Sequence, residues 1–219
     1  MNVNRSFLDL TPNECLDVYP EVLKNADEFY TTAQLMAGSG FYGKAIAHLI
    51  LGAEEYIKGL FLFLEGHDFQ LRKMTELHGI FKHHAPRHSI LRDTYSVWMV
   101  IKHLYEIRIN SSRSGIIQHL FKAAFTIFPA MSNVDWWKKA DKLKQRGFYT
   151  DFKNEVMNPT QLTAEDFEEA LRRTMSISEN IKQFIDEVKK ITPAQLKAFR
   201  LNFKEADFPS LVAETIKRK

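Results

Sequence analysis

Four ionisable residues interrupt an otherwise apolar segment, residues 45–64. They are His48, Glu54, Glu55 and Lys58. At about 100° per residue these positions fall within roughly a third of a helix circumference, so they would form one polar stripe. Glu54 and Lys58 have the favourable order for an ion pair on an exposed stripe. Alternatively, carboxylates that are partly desolvated beside a cation could orient a catalytic histidine or bind a ligand.

A second reactive segment, residues 77–88, contains four histidines and two cationic residues in twelve positions. Histidine exchanges protons near neutral pH, and arginine can hold a phosphate through two hydrogen bonds. These residue types suit phosphodiester cleavage, with His84 and Arg87 as candidates, although solvent-facing histidines would give the same pattern. A zinc site at His84 and His88 is disfavoured, because Pro86 spoils the helical spacing and there is no cysteine pair.

A third segment joins a predicted amphipathic helix, residues 135–145, to an aromatic stretch. Its basic residues are Lys138, Lys139, Lys142, Lys144 and Arg146. A solvated helix face explains such a run as readily as phosphate binding does, and the net charge of +3 is too small to indicate a nucleic acid ligand by itself. Residues 147–152 then favour an ordered loop or short hairpin that carries Tyr149 and Asp151.

Helices must position all of these residues. Thr11-Pro12-Asn13-Glu14 predicts a capped helix start, and Gly38-Ser39-Gly40 predicts its end. A second helix from about Phe41 to Glu65 should return antiparallel as a helical hairpin. Further helices are expected at about 68–83, 87–109, 112–128, 135–145 and 163–190, with short ones from 193 and 209. We therefore expect an all-α single domain, residues 1–219, with a core at about 12–190 and a short helical extension at 191–219.

Composition narrows the classes of protein. Cys15 is the only cysteine and no export signal is recognised, which favours a reducing cytoplasm. The apolar segment 45–64 is about long enough to span a bilayer, but the charges near its middle favour a buried helix and no membrane contact. Neither a glycine-rich phosphate loop nor a Gly-x-Ser-x-Gly turn occurs, which disfavours the common ATPase, kinase and hydrolase classes.

Taken together, these segments resemble the AbiV family of bacterial abortive-infection proteins, within the wider group of HEPN helical domains. The resemblance covers about residues 12–190 and is carried by Asn25-Ala26, by residues 40–45, 53–58, 81–87 and 143–151, by Pro159 and by the helix start at Thr163. Where the family tends to have His-x-x-Lys, this chain has His84 and Arg87. The usual HEPN pattern, Arg followed about four to six residues later by His, is matched by Arg72 with His78 and by Arg113 with His119.

The resemblance implies an HEPN-like bundle with an up-down helical hairpin core and additional C-terminal helices. It also implies an anti-phage effector, a metal-independent ribonuclease without a cofactor, that acts on RNA, forms a homodimer and responds to a phage-encoded activator. The residues implicated in catalysis are His84, Arg87, Glu54, Glu55 and Lys58. Those implicated in RNA binding or support are Lys144, Arg146, Tyr149, Asp151 and His48.

Two alternatives remain open at this point. The abundance of Phe and Tyr, without a decisive nuclease motif, also suits a non-catalytic helical interaction module. Such a module would sense a phage protein or block translation by binding. A purely structural helical dimer is the third interpretation.

Overall fold

The computed structural model describes residues 5–73, 134–152, 156–197 and 200. Its long helices are α1 (Pro12–Gly38), α2 (Tyr42–Gly66), α3 (Val134–Phe148) and α4 (Ala164–Lys190). Strands β1 (Asp151–Phe152) and β2 (Val156–Met157) form an antiparallel hairpin, and 3-10 turns occur at Phe7–Asp9, Leu71–Lys73 and Pro159–Gln161. The predicted all-α fold is confirmed. The predicted helices at 87–109, 112–128 and from 209 lie outside the described residues.

Local hydrogen bonds set both ends of α1. The Thr11 hydroxyl accepts the Glu14 N–H, and the Glu14 carboxylate accepts the Thr11 N–H at 2.7 Å. This capping box satisfies two amide groups that the first helical turn leaves open. At the other end, Gly40 has φ 80° and lets the Phe41 N–H donate back to the Met36 carbonyl at 2.9 Å. The predicted turn therefore reverses the chain into α2.

Close packing defines the α1–α2 hairpin. Three glycines of α2, spaced seven residues apart, each face a larger side chain of α1: Gly52 faces Tyr30, Gly59 faces Leu23 and Gly66 faces Leu16. The α1 partners are also seven residues apart but run in the opposite direction, as an antiparallel pair requires. A Cβ atom on Gly59 would lie 2.5 Å from Leu23 Cδ2, so these glycines allow the two backbones to approach.

Helix α4 packs parallel to α2 and also contacts α1. The rings of Tyr42 and Phe167, near the starts of the two helices, are 6.4 Å apart. Further along, Lys182 Nζ lies 5.3 Å above the Tyr56 ring and 2.9 Å from Asp27 of α1. Helix α2 is consequently buried along most of its circumference, which makes it the central helix.

Helix α3 is longer than the predicted 135–145, because Gly147 lies inside its last turn rather than in a loop. A Cβ atom on Gly147 would collide with the carbonyl oxygen of Gly43, so glycine here permits the close approach of α3 to α2. Of the two expectations for 147–152, an ordered loop or a short hairpin, a hairpin is found, but it is formed by β1 and β2 at 151–152 and 156–157, and residues 147 and 148 belong to α3. Helix α4 begins at the predicted Thr163 cap.

The third helix expected at about 68–83 does not start near Asp68, and the part of it from residue 74 onward lies outside the described residues. Asp68 and Gln70 have φ 61° and 58°, in the left-handed region that ends a helix. The Phe69 N–H donates to the Leu64 carbonyl at 3.2 Å, which closes the end of α2, and Leu71–Lys73 forms only a 3-10 turn. No helix among the described residues combines the length and apolar character needed to cross a membrane.

Candidate functional site

Glu54 faces α3 and forms a buried ion pair there. Its Oε1 atom lies 2.5 Å from Lys144 Nζ, and the Glu54 and Lys144 side chains are only 4% and 7% exposed. Asp141, one turn before Lys144, lies 3.5 Å from the same ammonium. Two predicted site residues that are distant in sequence are thus brought into direct contact. Because the pair is buried, losing either partner would leave a charge with little access to water.

Glu55 and Lys58 form a separate, partly buried pair. Lys58 Nζ lies 2.5 Å from Glu55 Oε1 and 5.2 Å from the centre of the Phe7 ring. The expected pairing of Lys58 with Glu54 is wrong, because Lys144 of α3 takes up the Glu54 carboxylate while Glu55 lies one turn from Lys58. The stripe is also not exposed as a simple surface pair would be, since Glu54 and Glu55 are both buried.

His48 occupies the same helix nearer its start, with its ring fixed in orientation. Its Nδ1 atom lies 2.8 Å from the carbonyl oxygen of Lys44. A carbonyl oxygen can only accept, so Nδ1 carries the proton and a neutral ring leaves Nε2 as an acceptor or base. The rings of Phe29 and Phe148 flank His48 at centroid distances of 5.8 and 5.4 Å. The ring is therefore held by α1, α2 and α3 together.

The other predicted residues around α3 do not form one cluster with Lys144. Arg146 is two residues on, about 200° around the helix, and its Nε atom is buried without a hydrogen-bond partner among the described residues. Tyr149 is exposed, with its ring 6.2 Å from that of Phe148. Asp151 is exposed on β1, where its Oδ1 atom accepts the N–H of the next residue at 2.8 Å.

Arg72, the first half of one possible HEPN motif, anchors the N-terminal segment. Its Nε atom lies 2.9 Å from Glu65, and its Nη1 atom donates to the carbonyls of Leu8 and Leu10 at 2.7 and 2.5 Å. These contacts give the guanidinium a structural role at the end of α2. The predicted residues that lie outside the described part of the chain are His78, His84, Arg87, Arg113 and His119.

A comparison with known protein families matches the part of the chain that contains these helices. A model of the AbiV family, of the HEPN type, matches residues 14–179. The chain belongs to the AbiV family. This confirms the resemblance that rested on residues 40–45, 53–58 and 143–151. No curated protein and no solved structure matches the chain.

Two of these AbiV-type segments carry residues that the sequence reasoning did not single out. Lys44 Nζ lies 5.7 Å above the Phe41 ring, and Phe148 contacts His48. The sequence signal for both residues was the grouping of aromatic, glycine and basic residues within 40–45 and again within 146–149. Among the described residues, no three His, Cys, Asp or Glu side chains converge as a metal site would require.

Proposed function

We propose that this AbiV-family protein is an abortive-infection effector that cleaves RNA without a metal ion. The observation that carries the proposal is the Glu54–Lys144 ion pair at 2.5 Å. The pair joins segment 53–58 of α2 to segment 143–151, and both segments carry the AbiV resemblance. Glu54 and Lys144 are 90 positions apart in the chain. Two segments typical of the family therefore meet between α2 and α3. We call the charged residues at this contact, Glu54, Glu55, Lys58 and Lys144, the charged wall.

In the proposed reaction, His84 removes the proton from a ribose 2′-hydroxyl. The 2′-oxygen attacks the adjacent phosphorus, the bond to the 5′-oxygen breaks, and that oxygen takes up a proton. The products are a 2′,3′-cyclic phosphate and a 5′-hydroxyl end. Arg87 stabilises the negative charge that develops on the phosphoryl oxygens, and Lys58 assists from α2.

The carboxylates have a positioning role in this proposal. Glu54 is bonded to a buried ammonium, so it is better placed to orient Lys144 than to exchange a proton with substrate. Glu55 holds Lys58, whose side chain keeps partial access to solvent. The protein is proposed to act as a symmetric homodimer, which brings two copies of this wall together, and to respond to a phage-encoded activator.

The test uses purified protein and total bacterial RNA in the presence of EDTA. Wild type and a His88→Ala control should generate fragments with 2′,3′-cyclic phosphate ends, whereas His84→Ala should cleave about 10²–10⁴-fold more slowly. Equal cleavage by wild type and His84→Ala would remove His84 from the mechanism. Growth arrest that survives replacement of both His84 and Arg87, without RNA cleavage, would instead support the non-catalytic interaction module.

A further inference from the structure

Aromatic and basic residues lie next to one another where the α1–α2 hairpin turn meets the end of α3. Lys44 Nζ lies 5.7 Å above the Phe41 ring, and the Lys44 carbonyl holds His48 Nδ1 at 2.8 Å. The His48 ring is 5.4 Å from that of Phe148, which is 6.2 Å from that of Tyr149. We call these five residues the aromatic row. Each residue of the row contacts the next one, as these distances show.

The two ends of the row project into solvent. Phe41 is 58% exposed and Tyr149 is 63% exposed. Lys44 is exposed as well, whereas His48 and Phe148 are partly buried beneath them. Covering an exposed apolar ring with a ligand is favourable, because it removes apolar surface from water. A ligand with flat faces and negative charge would match both the rings and the ammonium.

The backbone beneath the row is closely packed. The close approach of Gly147 to Gly43 fixes the end of α3 on the start of α2, and a Cβ atom on Gly43 would lie 2.5 Å from the Pro159 carbonyl oxygen. Three chain segments are therefore held together without room for a side chain between them. A surface fixed in this way binds a flexible ligand at a lower entropic cost.

We propose that the aromatic row binds single-stranded RNA. Bases stack on Phe41 and Tyr149, Lys44 contacts a phosphate, and the Nε2 atom of His48 forms a hydrogen bond with the strand. Stacking on aromatic side chains beside cations is the usual way that unpaired bases are held. Asp151 follows Tyr149 by two residues, and its Oδ1 atom accepts the backbone N–H of the next residue.

This inference rests on the proposed ribonuclease function, because it assigns the surface that holds the substrate strand. Binding is nevertheless measurable without cleavage. A 2′-O-methyl RNA lacks the hydroxyl that attacks phosphorus, so it reports binding alone. Fluorescence anisotropy with a labelled 2′-O-methyl oligonucleotide therefore tests the row whether or not the enzyme turns over.

Phe41→Ala and Tyr149→Ala should each weaken binding about tenfold, and Lys44→Ala should both weaken it and reduce its salt dependence. Two exposed α1 residues outside the row provide matched controls, Leu35→Ala and Lys24→Ala, and they should bind like wild type. All of these side chains are exposed, so thermal unfolding should be unchanged. A duplex of the same sequence should bind more weakly, because its bases are already stacked.

Two results would overturn the inference: no binding by wild type, or undiminished binding by the triple variant of Phe41, Lys44 and Tyr149. A cleavage assay on natural RNA distinguishes failure of the binding proposal from failure of the ribonuclease proposal. If wild type cleaves RNA and the triple variant binds normally, the row is wrong and the ribonuclease stands. If the row binds 2′-O-methyl RNA but wild type cleaves natural RNA no faster than His84→Ala does, with or without a lysate of phage-infected cells that supplies an activator, the surface stands and the ribonuclease fails.

Discussion

Glu54 on α2 and Lys144 on α3 are joined by an ion pair of 2.5 Å between side chains that are almost fully buried. Such a pair is expensive to desolvate, and its attraction in the interior compensates for that cost only while both partners are present. It fixes the rotation of α3 about its axis, because Lys144 must point at α2. With Gly147 one turn later against Gly43, the charged contact and the close backbone approach set the same helix register.

Replacing one partner of this pair should therefore destabilise the fold. Lys144→Met leaves Glu54 buried without its ammonium, and we expect a loss of about 3–5 kcal/mol in the free energy of unfolding. The double variant Glu54→Gln/Lys144→Met should recover part of that loss, because the buried Glu54 carboxylate is removed together with its ammonium and only the more exposed Asp141 stays charged. Urea unfolding of both single variants and the double variant gives the coupling energy. Glu169→Gln is the control: it alters an ion pair whose carboxylate is more exposed, and it should cost less than about 1 kcal/mol. If the effects of the two single variants of the buried pair simply add in the double variant, the prediction is wrong.

The sequence predicted those parts of the fold that depend on local bonds. The capping box of Thr11 and Glu14 and the left-handed Gly40 involve neighbouring residues, so residue types and spacing were sufficient to place α1 and the turn. The Glu54–Lys144 pair could not be predicted in this way, since it depends on which face of α2 meets α3. The expected end of the helix at residue 145 was too early for the same reason, because only the packed structure shows that Gly147 continues the helix in close approach to Gly43.

Two glycines at helix ends should respond oppositely to alanine. Gly147→Ala forces a methyl group onto the Gly43 backbone, which cannot rotate away, so we expect a loss of about 1–3 kcal/mol. Gly38→Ala is the matched control. A Cβ atom at Gly38 would meet nothing within 4 Å. Alanine there should be neutral or stabilise the fold by up to about 1 kcal/mol, because it lowers the conformational entropy of the unfolded chain. Thermal or urea unfolding measures both, and equal effects at the two sites would rule out the close-approach explanation.

His67 should make stability depend on pH below neutrality. Burial, and secondarily the Arg200 guanidinium, hold the pKa of His67 below its ordinary value of 6.5. The unfolded chain then binds this proton more readily than the folded one, so stability falls as the pH drops from about 6.5 through the lowered pKa. His67→Gln should lose that part of the dependence. The urea midpoint of both proteins at several pH values between 7.5 and 5 tests this, and parallel curves would show that His67 contributes nothing.

Two lysines of the candidate site should separate stability from activity. Lys144 is buried in its pair with Glu54, whereas Lys58 is partly exposed beside Glu55. Under the proposed ribonuclease function, Lys58→Ala should slow RNA cleavage by about tenfold or more, because it removes a positive charge that stabilises the phosphoryl oxygens. It should lower stability less than loss of Lys144 does, since the Lys58–Glu55 pair is more exposed than the Lys144–Glu54 pair. Lys58→Arg should retain more activity, since the positive charge is kept. Lys144→Ala should instead lower the unfolding midpoint, so its cleavage rate is measured per folded molecule and well below that midpoint. If Lys58→Ala cleaves like wild type under these conditions, Lys58 has no part in the chemistry and its pair with Glu55 serves only to hold the N-terminal segment against α2.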